Sequence, residues 1–93
     1  MAQFTIRVEL HKATWSDYTT LASLLAAKHI TDVLPLSDGT QWKMPPGEYQ
    51  CHGELTPVQV HDIVAGIVKT LGRGYAILVT KSDGIHVSGT ASQ

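Results

Sequence analysis

Residues 4–10, Phe-Thr-Ile-Arg-Val-Glu-Leu, alternate apolar and polar side chains without a break. Successive side chains of an extended chain point to opposite faces. Phe4, Ile6, Val8 and Leu10 therefore share one face, and Thr5, Arg7 and Glu9 share the other. A strand that is dry on one face and wet on the other belongs in an antiparallel sheet covered on a single side. That requirement organises the rest of the chain.

Two segments carry the signals of covering helices. Thr14 precedes an apolar stripe of Tyr18, Leu21, Leu24 and Leu25, with Asp17 three residues after it. This is a capping-box variant that opens a helix running to about Lys28. Thr56 repeats the device with Pro57 at the first helical position and Gln59 completing the box. The stripe Val60, Ile63, Val64, Ile67, Val68 and Leu71 follows, and Gly72 stops the helix where a left-handed residue is favoured. His61 and Asp62 fall beside that stripe, and as neighbours on a helix they are not expected to face each other. They read as surface residues.

Between the helices, Ile-Thr-Asp-Val-Leu-Pro-Leu-Ser predicts a second strand, with Pro35 marking an edge or an end. Asp38-Gly39 is a tight turn into a short returning strand around Trp42, and Pro45-Pro46 interrupts it. Residues 48–55 alternate again, with Tyr49, Cys51 and Leu55 on one face and Glu48, Gln50, His52 and Glu54 on the other. Gly53 suits a bulge. Residues 75–80, Tyr-Ala-Ile-Leu-Val-Thr, predict a strand buried on much of both faces. Asp83-Gly84 predicts a hairpin into an extra short C-terminal strand, and residues 88–93 a frayed tail. The order strand, helix, strand, strand, helix, strand predicts an α+β fold, a ferredoxin-like βαββαβ sandwich. In it the first strand lies between the third and fourth, and both helices cover one face of an antiparallel sheet.

The 93 residues make one domain, and 43% hydrophobic content suits a globular chain. No apolar run approaches the ~20 residues that span a bilayer, and the N-terminus lacks the apolar segment of a secretory signal. A cytoplasmic protein is expected, with no membrane insertion. A single cysteine, Cys51, excludes an internal disulfide, and its alternation points it to the core rather than to nucleophilic work. No His-x-x-x-His, Cys-x-x-Cys or phosphate-loop spacing occurs, so neither metal nor cofactor is expected. Seven Lys and Arg against eight Asp and Glu give a net charge of −1. That balance excludes tight nonspecific nucleic-acid binding, although not a transient encounter with RNA.

The polar sheet face supplies the candidate catalytic residues. His52 can exchange protons near neutral pH, Arg7 can hold a phosphate, and Glu9 can orient the imidazole or act as a second acid–base group. Together they form a minimal set for metal-independent RNA cleavage. The structural alternative is cross-strand polar pairing on a wet sheet. Trp15 and Trp42 are read as packing in the first helical turn and on the hairpin, with base stacking as the rival role.

The strand Thr-Ile-Arg-Val-Glu-Leu, the helix start at Thr14-Trp15, the Glu48-Tyr49 strand and the helix entry at Leu55-Thr56 carry a resemblance over residues 1–80. The chain resembles the GhoS-like antitoxins of type V toxin–antitoxin systems and their bacterial and phage relatives. The resemblance implies a ferredoxin-like fold akin to CRISPR-associated small ribonucleases. It also implies an endoribonuclease that cuts the transcript of a membrane toxin. It transfers no catalytic residue position by position. The expectation is thus an antitoxin-like homodimer that binds or cleaves RNA. The alternative is a non-catalytic protein-interaction or dimerisation module.

Overall fold

The computed structural model describes residues 2–88. Strand β1 (Ala2–Leu10) leads into α1 (Trp15–Ala26), the hairpin β2 (Val33–Pro35) and β3 (Gln41–Lys43), then β4 (Glu48–Gly53). Helix α2 (Pro57–Val68), a 3-10 turn (Lys69–Leu71) and β5 (Tyr75–Ser82) complete the order. The main sheet is antiparallel in the order β4-β1-β5. The first strand therefore lies between the two predicted neighbours, and the fold is α+β and compatible with a ferredoxin-like sandwich.

Both helices begin where the sequence predicts. Thr14 accepts from the Asp17 N–H, and the Asp17 carboxylate accepts from the Thr14 N–H at 2.9 Å. Thr56 and Gln59 repeat this reciprocal cap at 3.2 and 2.8 Å. These bonds satisfy two otherwise orphan donors per helix and set where each apolar stripe starts. They also hold the Asp17 carboxyl below its usual range, through the Thr14 backbone and then the Arg73 guanidinium.

Phe4, Ile6, Val8 and Leu10 meet Leu21 and Leu25 of α1 and Val60, Val64 and Val68 of α2 in one core, joined by Tyr49 and Cys51. Each fully buried aliphatic or aromatic side chain contributes about 1.5–3 kcal/mol of transfer free energy. Burial raises the Cys51 thiol pKa, as the inward alternation predicts.

Several expectations are corrected. The sheet has three strands, not four. β2 and β3 form their own two-stranded ribbon, and the bridge Thr31↔Gln50, just before β2, is the only backbone pairing between this part of the chain and β4 among the described residues. The reason is local: the Gln50 amide donates to Thr31 Oγ1 and to the Val33 carbonyl, at 2.8 and 2.9 Å, and so takes the place of the next ladder bonds. Gln50, expected in water, is thereby only 6% exposed. β5 is an edge strand that alternates half-buried and exposed positions, not one buried on both faces. Residues 83–88 contain no strand; the rest of the expected tail lies outside the described residues. Leu24 and Ile63, read as core, stay exposed because a three-stranded sheet is too narrow to reach the flank of either stripe. His61 Nδ1 and Asp62 Oδ1 do meet, at 3.2 Å, but both are exposed. No helix among the described residues is long and apolar enough to cross a membrane.

Core and cap energetics predict an order of sensitivity. Leu21→Ala should cost about 2–5 kcal/mol, through lost burial and the cavity left behind. Thr56→Ala should cost about 1 kcal/mol. Urea unfolding of the two variants checks both values; equal losses would contradict this division between core and cap.

Candidate functional site

The predicted catalytic residues all lie on the sheet face turned away from the helices. Arg7 sits between Glu48 of β4 and Leu78 of β5, Glu9 lies opposite Ala76, and His52 lies opposite Gln3. Gln3 and Arg7 are four residues apart, so the register separates the His52 and Arg7 positions by about 13 Å along the strand. Glu9 is two residues further on. Glu9 does not orient His52: its carboxylate lies 3.6 Å from His11 Nε2 instead. The three residues share a face without forming one reaction centre, since acid–base work requires contact at hydrogen-bond distance. The Gln3 end of this face is bordered by residues 34–38 and 85–87, which line a cavity of about 400 Å³ with it.

A second arrangement joins segments that are distant in sequence. α1 presents Trp15, Tyr18, Thr19 and Ala22 across a cleft of about 400 Å³ from the 44–47 loop, with Tyr49 lining it from β4. Trp15 is 72% exposed, not packed in its helical turn. The Tyr18 ring is held in place because its hydroxyl accepts from the Leu10 N–H at 2.9 Å. The facing wall is equally fixed. Pro45 and Pro46 restrict the backbone. The Gly47 carbonyl accepts from the Val8 N–H at 2.7 Å. Gly47 has φ +85, and a Cβ there would stand 2.7 Å from the Val8 carbonyl oxygen, so no other residue fits without displacement.

The polar groups of the cleft are few. Lys43 and Asp32 pair with each other at its wall. Tyr49 is 2% exposed, and no protein hydrogen bond engages its hydroxyl among the described residues. Burial, and then the nearby Asp32 carboxylate, push its pKa up to about 12. The phenol therefore remains a hydrogen-bond donor throughout the physiological range. The arrangement is a rigid slot lined by aromatic rings and prolines, with the Tyr49 hydroxyl not engaged by any protein group among the described residues.

Sequence reading missed this site because no single segment announces it. The Pro45-Pro46-Gly47 run reads as a strand breaker, and only the fold sets it opposite Trp15. Among the described residues no group of three or more His, Cys, Asp or Glu side chains could hold a metal ion. No protein-family model and no curated protein matches the chain.

The raised Tyr49 pKa predicts an alkaline effect. Between the ordinary tyrosine value of 10.0 and about 12, the folded state holds a proton that the unfolded state has released. This contribution to stability is complete below the lower value and is lost as pH rises through the upper one. Tyr49→Phe should abolish that share of the alkaline loss, as measured by chemical unfolding across this range. Parallel wild-type and variant profiles would contradict a buried phenol.

Proposed function

We propose that the protein is a non-catalytic binding module whose recognition site is the α1/44–47 cleft and whose ligand is an extended, proline-rich peptide segment. The observation that carries this reading is the unengaged Tyr49 hydroxyl in a slot walled by the exposed Trp15, Tyr18, Pro45 and Pro46. Proline-rich segments dock in aromatic-lined grooves because their polyproline conformation is already ordered before binding. Proline offers carbonyl acceptors and no N–H, so such a segment needs donors like Tyr49 and few acceptors. The Asp32–Lys43 pair neutralises itself, and the slot asks for no charged ligand. A volume of about 400 Å³ accommodates one or two side chains.

The resemblance to GhoS-like antitoxins supports a second reading, in which the chain binds or cleaves RNA on the open sheet face, with Arg7 and His52 as separate contacts and not one reaction centre. The near-neutral charge supports the peptide reading over this one.

One set of titrations separates the two. A proline-rich peptide should quench or shift tryptophan emission saturably, while a glycine–serine peptide of equal length should not. Trp15→Ala should abolish the response. Tyr49→Phe should weaken it about twofold to tenfold, the value of one hydrogen bond. His52→Ala should leave it unchanged. Absence of saturable peptide binding, with RNA cleaved by wild type and not by His52→Ala, would replace this reading by the ribonuclease one.

A further inference from the structure

The outer edge of β5 has a pattern that the binding cleft does not use. The His11 N–H donates to the Gly74 carbonyl at 2.7 Å. The same register continues through Glu9↔Ala76, Arg7↔Leu78, Thr5↔Thr80 and Gln3↔Ser82. In an antiparallel ladder, residues that exchange hydrogen bonds alternate with residues that do not. Ala76, Leu78, Thr80 and Ser82 therefore direct their backbone groups to β1. Tyr75, Ile77, Val79 and Lys81 direct theirs outward. Among the described residues no strand pairs with that side. An eight-residue edge free of proline is a template for another strand.

We propose that this edge pairs with the same edge of a second copy of the chain, antiparallel about a two-fold axis through Leu78. Two three-stranded sheets then join into one of six strands. Only positions with outward backbone groups can pair, so odd residues must meet odd residues. Centring on Leu78 uses all four of them: Tyr75 meets the partner's Lys81 and Ile77 meets the partner's Val79, with each relation repeated across the axis. The ladder gains about eight hydrogen bonds, two per bonded pair.

Side chains favour the same register. Leu78 is 62% exposed, an apolar residue in the middle of a polar sheet face. On the axis it covers its own counterpart. Ile77 and Val79, both half-buried on the helix side, form a β-branched cross-strand pair. Lys81, the one charge on this edge, lies over the ring of the partner's Tyr75, where a cation is attracted. Just beyond the strand ends, the partner's Asp83, which forms no ion pair within its own described chain, comes opposite Arg73, whose Nε already bonds to Asp17 at 3.1 Å. This self-complementarity of shape and charge identifies a second copy, not a foreign strand, as the occupant.

Sedimentation velocity and oxidative cross-linking test the interface together. The wild-type chain should sediment as a dimer. Leu78→Lys should weaken self-association by more than about tenfold, because two ammonium groups then face each other on the axis. Its circular dichroism should match wild type, and its unfolding midpoint should match that of wild type at concentrations low enough to dissociate the dimer. In a Cys51→Ala background, Leu78→Cys should oxidise to a covalent dimer, since directly opposed non-hydrogen-bonded residues have Cα atoms about 4.5 Å apart, within disulfide range. Thr80→Cys should not, because its counterpart is displaced by about 13 Å along the strand. A monomeric wild type overturns the proposal, even if it takes up an added extended peptide at this edge. So does a dimer indifferent to Leu78→Lys, or cross-linking through Thr80→Cys as fast as through Leu78→Cys.

Discussion

β1 is hydrogen-bonded on both sides at once, and the rest of the molecule is arranged around that double use. Its even residues bond to β4 and its odd residues to β5, as the Val8–Gly47 and His11–Gly74 bonds at its end show. The same even residues send Phe4, Ile6, Val8 and Leu10 into the core. A slip of one residue would therefore exchange both ladder partners and turn the whole apolar set into water. Backbone pairing and hydrophobic burial specify the same register, which is the kind of agreement between levels that singles out one structure.

The cleft inherits its rigidity from this strand. Leu10 donates its N–H to Tyr18 and so fixes one wall, and Val8 donates to Gly47 and so fixes the other. Two consecutive inward-facing residues of β1 thus hold apart the two sides of a slot they do not themselves line. Recognition there requires little reorganisation of protein before binding, which keeps the entropic cost of association low.

Features that depend on local chemistry were legible in the sequence. Both capping boxes, the left-handed Gly72, the Asp38-Gly39 turn and the one-sided β1 follow from residues within a few positions of one another. Features that depend on sheet width and on distant segments were not. An apolar run such as Ile77-Leu78-Val79 reads as buried, because composition carries no information about whether a strand has one neighbour or two. Gln50 alternates toward the open face as expected, yet the turn of the chain at Thr31 covers it. The residues Arg7, Glu9 and His52 were assigned correctly to one face, but period-two alternation leaves their spacing along the sheet undetermined until the register is known. Trp15 is exposed for a related reason: only the fold turns it toward the cleft facing the 44–47 loop, away from the core.

The two lateral borders of the sheet are unlike. Along β4 the outward backbone is occupied at its middle and start: Thr31 bonds to Gln50 in both directions, and the Glu48 N–H donates to the Pro45 carbonyl. Along β5 no strand among the described residues occupies it. A sheet with one stoppered border and one open border can be extended by a single step, after which the newly added copy presents only its own stoppered side. If two copies pair through β5, fibril propagation, the usual hazard of a long unprotected strand, would have to proceed from the β4 border, where Gln50 is already engaged with Thr31.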